Sequence, residues 1–124
     1  MKTNAINWFE IPVKDFNRAK TFYSKILGVQ LSEMEMAPFK MGFFPYDQTN
    51  GVGGAIVQGE GYEPTTKGAR IYLNGGDDLN VVLNRVEKAG GKVVLPKTEI
   101  TPEFGFYATF EDTEGNHVSL HSMS

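Results

Sequence analysis

Two segments of this chain carry the same punctuation, and that repetition limits the folds open to it. Asp15 opens a stretch whose apolar positions Phe16, Ala19, Phe22, Tyr23, Ile26 and Leu27 follow the i, i+3, i+4, i+7 spacing of a buried helix face, and Gly28 closes it. Asp78 opens a second stretch, with Leu79, Val82, Leu83, Val86 and Ala89 at the same spacing, closed by Gly90 and Gly91. Acid and glycine stand 13 positions apart in both (Asp15 to Gly28, Asp78 to Gly91), so the halves align at an offset of 63. The match extends outward. "INWFEIPV" precedes the first helix and "ARIYLN" the second, both short and rich in β-branched and aromatic residues as strands are. Three more strand-like runs follow each helix, at 29–35, 39–46 and 52–58, then at 92–95, 104–111 and 117–122, with turn signals such as "DTEGN" between them. Each half therefore reads as a βαβββ unit of about 60 residues, too small to bury a good core alone. The expectation is one α+β domain over residues 1–124, its modules at about 1–60 and 66–124 packed together around a shared interior.

Bulk properties narrow the function classes. A net charge of −3 with no run of Lys or Arg gives no footprint for a phosphate backbone, so nucleic acid is not an expected partner. Zero cysteines excludes disulfides, thiolate nucleophiles and Cys-based zinc sites together. "MKTNAINWFE" has no apolar core of a signal, and no run approaches the 18 or more apolar residues of a membrane span, which predicts a cytoplasmic location without membrane contact. "GVGGAIV" lacks the third glycine of a dinucleotide fingerprint, since Ile56 stands there, and reads as a hairpin entering a strand. "LNGGDDL" does lead from strand to helix, but two carboxylates occupy the place where a phosphate would need positive potential. "GEGYEPTTKG", residues 59–68, is the joint between the modules, and with "TEITPEFG" it is a candidate loop over a cavity mouth.

Alternation splits each strand into two faces. Phe9, Ile11 and Val13 share one, as do Ile71 with Leu73 and Val118 with Leu120; these apolar faces suit the amphipathic helices. Opposite them lie Trp8 and Glu10, then Arg70, Tyr72 and Asn74, then His117, Ser119 and His121. That mixture of aromatics and polar groups is what a binding pocket needs, and it predicts a cavity enclosed by the curved sheets.

The duplicated layout, "EIPVKDFNRAKTFYSKILGV" at the first strand and helix, and "AGGKVVLP…FGFYATFEDTEGNHVSLHS" at the end resemble the vicinal oxygen chelate superfamily, which includes glyoxalase I, bleomycin-resistance proteins and extradiol dioxygenases. The resemblance implies two tandem βαβββ modules forming an open eight-stranded barrel-like sheet around a cavity, assembled as a homodimer. It also implies a divalent metal held by four inward side chains, from the first and fourth strands of each module. The corresponding positions here are Trp8, Arg70, Ser119 and one near Ala55 or Val57. Metals of this kind need imidazole, carboxylate or thiolate donors. An indole, a guanidinium and a hydroxyl supply none, so no metal or other cofactor is expected.

The expected function is accordingly a metal-free, small-molecule-binding member of that family. Trp8 and Tyr72 would stack on a planar ligand, Arg70 would hold an anionic group, and Ser119 would complete the site. Trp8 and Tyr72 serve equally well as filling for the barrel, and Arg70 as the partner of Glu10 in an internal ion pair. The alternative is an enzyme: a lactoylglutathione-lyase-like protein, an isomerase or a dioxygenase, with a displaced metal on Glu10, His117 and His121, or with Glu10 and His121 as an acid–base pair.

Overall fold

Both helices form where their apolar spacing places them, and each is followed by three strands. In the computed structural model, which describes residues 4–36 and 38–124, the order is β1 (Trp8–Pro12), α1 (Phe16–Leu27), β2 (Ser32–Met36), β3 (Phe39–Phe43), β4 (Gly53–Gln58), β5 (Tyr72–Asn74), α2 (Asn80–Val86), β6 (Lys92–Thr101), β7 (Gly105–Glu111) and β8 (His117–Ser122). The first three residues of module 1, and with them the start of the N-terminal segment read for a signal, lie outside the described residues.

Asp15 caps α1 from an extended conformation (φ −122°), its carboxylate accepting the Arg18 N–H, and Gly28 ends the helix in the left-handed region (φ 66°) with its N–H on the Ser24 carbonyl. The second helix is shorter than its periodicity suggests. Beyond Val86 the ladder gives way to turns: the Ala89 N–H is shared between the Arg85 and Val86 carbonyls, and the Gly91 N–H closes on Val86. Strand β6 is longer than expected, because Pro96 reads as a strand breaker yet sits on an edge strand, where irregular pairing around Leu95 tolerates a missing N–H.

Each module forms its own four-stranded sheet, in the orders β1-β4-β3-β2 and β5-β8-β7-β6. Both sheets contain one parallel pair, β1 with β4 and β5 with β8, and are otherwise antiparallel. The duplication extends to single hydrogen bonds. The Phe16 N–H at the start of α1 is accepted by the Gln58 side chain from the end of β4, and the Leu79 N–H before α2 by Ser122 Oγ from the end of β8. "GVGGAIV" owes its glycines to packing: a Cβ on Gly54 would collide with the Phe9 ring, and one on Gly53 with Tyr46.

The apolar faces meet in one core that joins Ile11, Val13 and Ile56 of the first module to Leu73, Val118 and Leu120 of the second. Helix α1 lies across both. Its Phe22 and Tyr23 rings reach Phe110 of β7 at 5.8 and 6.3 Å, and α1 packs on α2. No helix among the described residues is long and apolar enough to cross a membrane.

The "DTEGN" turn holds the modules together. Glu114, whose side chain is fully buried, accepts the Lys14 and Asp15 backbone N–H groups at 2.9 and 2.8 Å and the Arg18 guanidinium at 2.7 and 3.0 Å. Asp112 accepts the buried Tyr23 hydroxyl at 2.6 Å and closes its own turn on the Glu114 and Asn116 N–H groups. Asn116 donates to the Pro12 carbonyl and accepts from the Thr65 N–H, so the joint segment is pinned as well. Burial alone would raise the Glu114 carboxyl, but hydrogen bonds from Arg18, Asp15, Thr113 and Lys14 outweigh it and hold the group at about 2, against an ordinary 4.5. Burial, followed by the adjacent Asp112 carboxylate, pushes the Tyr23 hydroxyl well above its usual 10.

Two outcomes follow. Because the folded-state value of Glu114 is depressed, its contribution is complete above about pH 4.5 and is lost as the pH falls through about 2. Glu114→Gln therefore lowers the melting temperature at pH 7 by roughly 3–8 °C, and the gap to the parent protein narrows in melts taken stepwise towards pH 2. Tyr23→Phe leaves a buried carboxylate oxygen short of a donor and costs about 1–2 kcal/mol in urea unfolding.

Candidate functional site

The strand pairing fixes which positions of the two modules correspond. Val13 N–H bonds the Val57 carbonyl and Gly75 N–H the His121 carbonyl, which equates Val13 with Gly75 and Val57 with His121. Counting along the registers, Trp8 corresponds to Arg70, Glu10 to Tyr72 and Ala55 to Ser119. The four positions where the resemblance implies metal ligands are thus Trp8, Ala55, Arg70 and Ser119. A ring, a methyl group, a cation and a hydroxyl do not fit a divalent ion, and among the described residues no three His, Asp or Glu side chains converge.

The two inward faces differ in chemistry. On the first sheet, Trp8 packs against Phe43 and Tyr46, with ring centroids 5.8 and 6.4 Å away. Met34 and Met41 pair across β2 and β3 on the same face. Glu10 is its one carboxylate on β1, accepting the Tyr62 hydroxyl at 2.6 Å and the Trp8 indole N–H at 3.3 Å. Tyr62 comes from the joint segment and rests edge-on against Phe39. Its hydroxyl is held above its usual range first by that hydrogen bond to Glu10. The second sheet is polar. Thr109 Oγ1 and Ser119 Oγ are 2.8 Å apart and buried, the Arg70 guanidinium lies over them with Nη1 3.5 Å from Thr109, and Tyr72 leans on Tyr107 at 6.3 Å.

The expected hollow is not enclosed within one chain. Both helix-covered faces point into the shared core, and no hydrogen bond or ring contact among the described residues joins the opposite faces, although Glu10 and His117 line one small hollow of about 170 Å³ with Thr65 and Asn116. Trp8 is 36% exposed and Tyr72 52%, and Arg70 is exposed too. A cleft of about 540 Å³ lies instead at the seam between β1 and β5, lined by Phe9, Leu27, Phe44, Ile71 and Leu73 together with Arg70 and Tyr72. Glu10 and His121 are not hydrogen-bonded to each other; His121 Nε2 is 2.6 Å from the Phe104 carbonyl, and His117 faces Glu111 at 3.3 Å. The Arg70–Glu10 ion pair is likewise not formed within the chain. Of the two loops considered as covers, "TEITPEFG" begins inside β6 and ends in a turn closed by the Phe104 N–H on Thr101.

Thr109 and Tyr107 escaped the sequence reading although the same alternation, carried into "FYATF", would have placed both beside Ser119 and His121. Tyr62 had no such signal, since its reach to Glu10 depends on the path of an irregular segment.

Comparison with known proteins agrees with this architecture. Residues 5–120 match the family model described as Glyoxalase/Bleomycin resistance protein/Dioxygenase superfamily. A "Glyoxylase-like domain-containing protein" from Didymella fabae is 35% identical over 118 residues, 90% of this chain and 88% of that protein. Among solved structures, UcmS2 superposes with a TM-score of 0.70 at 22% identity over the full length of both chains. TnmS3, described as an antibiotic binding protein from Streptomyces sp. CB03234, gives 0.65 at 21% identity over all of this chain and 99% of its own. A glyoxalase I mutant from Zea mays gives 0.73 at 21% identity, with this chain spanning only 46% of that enzyme. With a family model covering nearly its whole length and a relative of this closeness, the chain belongs to the Glyoxalase/Bleomycin resistance protein/Dioxygenase superfamily.

Proposed function

We propose that this protein binds a small organic molecule without a metal, in a site completed when two copies bring the first sheet of one against the second sheet of the other. The observation that carries the reading is the chemistry of the four corresponding positions: Trp8, Ala55, Arg70 and Ser119 suit stacking, close approach and hydrogen bonding, and none suits a metal. Dimerisation is supported by the two open faces. Each exposes large aromatic or thioether side chains, Trp8 and Met34 on the first and Tyr72 on the second, which suit an interface better than a plain solvated sheet. That a full-length structural neighbour is described as an antibiotic binding protein agrees with binding rather than turnover. The enzymatic alternative gains no geometric support, since Glu10 is committed to Tyr62 and His121 to a backbone carbonyl.

Two measurements test this. Light scattering gives twice the 13.7 kDa chain mass at micromolar concentration, and emission from Trp8, the single tryptophan, shifts to the red on dilution as the covering sheet leaves. A monomer at all concentrations would remove the composite site. Elemental analysis of untagged protein finds less than about a tenth of a divalent ion per chain, and a chelator leaves the melting temperature unchanged. Stoichiometric metal whose removal destabilises the fold would overturn the metal-free reading.

A further inference from the structure

The charge balance of the second inward face narrows the ligand. At the inward positions of the first and fourth strands of both modules, 8 and 10, then 53, 55 and 57, then 70, 72 and 74, then 117, 119 and 121, Arg70 is the one arginine or lysine. Among the described residues no carboxylate lies within salt-bridge distance of it, and its hydrogen bond to Thr109 is long at 3.5 Å. Glu111 is engaged by His117. A guanidinium exposed in one chain but covered in the closed site must find a partner there, because burying it unpaired costs several kcal/mol. Glu10 of a second copy is the competing partner, but it already accepts two hydrogen bonds, from Tyr62 and Trp8.

Resting on the small-molecule reading above, we infer that the site selects a flat aromatic molecule carrying a single negative charge, a carboxylate for which Arg70 supplies the fork. Thr109 lies within reach of the guanidinium at 3.5 Å and is itself hydrogen-bonded to Ser119. The ring system lies on the surface formed by Trp8, Phe43 and Met41 of the other copy, which offers planes and a polarizable thioether. On these strands one cation matches one unit of charge, and this favours a carboxylate over a phosphate monoester.

The test uses the full-length protein at concentrations where it is assembled and four probes: 4-nitrobenzoate, the isosteric 4-nitrobenzamide, 4-nitrophenyl phosphate and acetate. Calorimetry reads affinity and quenching of Trp8 reads location. Nitrobenzoate binds about tenfold tighter than nitrobenzamide, both quench Trp8, and acetate does not bind. Arg70→Met brings the acid-to-amide ratio to about one, and a far-UV circular dichroism spectrum like the parent's shows that the variant is folded. Arg70→Lys restores part of the ratio, since it returns the charge without the fork. Equal binding of acid and amide, tighter binding of the phosphate, or a ratio unmoved by Arg70→Met overturns the inference and leaves the small-molecule reading standing. If neither aromatic probe binds or quenches, both fall.

Discussion

The carboxylate of Glu114 is the point on which this fold turns. Neither βαβββ unit is large enough to hold its own core, so the halves need a joint that specifies their relative position as well as an apolar surface that favours contact. The apolar surface is generic: rings from α1 against Phe110 would tolerate some sliding. The buried acid does not, because it must sit where the Lys14 and Asp15 N–H groups and the Arg18 fork converge, at the start of the first helix, where unsatisfied donors and the helix dipole both favour negative charge. Asp112 and Asn116, one residue to either side of the Thr113–Gly115 tip, extend the same logic to Tyr23 and Pro12. A turn that would ordinarily face solvent is here placed inside, with its polar groups satisfied by the opposite module.

Much of this architecture was legible in the chain itself. The offset of 63, the helix boundaries at Asp15 and Gly28, and the apolar alternation of β1 and β8 are local properties, and local rules read them. What escaped was decided at a distance. "DTEGN" announces a turn through Gly115, but nothing within five residues tells that its acids will be buried by a helix almost a hundred positions earlier. Pro96 argues for a break by its chemistry and is overruled by its place on a sheet edge. Glu10 and His121 share a parity, which says that each faces away from its helix and says nothing about whether the two faces meet.

The same distinction explains the candidate site. Alternation identifies Trp8, Arg70 and Ser119 as residues on the far side of the sheet from the core, and the pairing shows them to occupy corresponding places in the two modules. Enclosure is a different property, set by what lies above the sheet. In the single chain the helices cover the opposite faces, so Trp8, Arg70 and Tyr72 stay exposed, while the Thr109 and Ser119 hydroxyls are buried by their own neighbours. A duplicated module thus presents two faces with different chemistry on one chain. Divergence after duplication had room to act on each half separately.

The position of the joint also bears on how the molecule is made. A ribosome delivers the first helix long before the turn that satisfies its leading N–H groups, and Thr65, the tether of the connecting segment, must likewise await Asn116. Until that turn is made, those N–H groups have no acceptor from the second module and the joint between the halves is unmade. The turn at 112–116 thus serves at once as the link between two strands and as the latch on a helix made long before it.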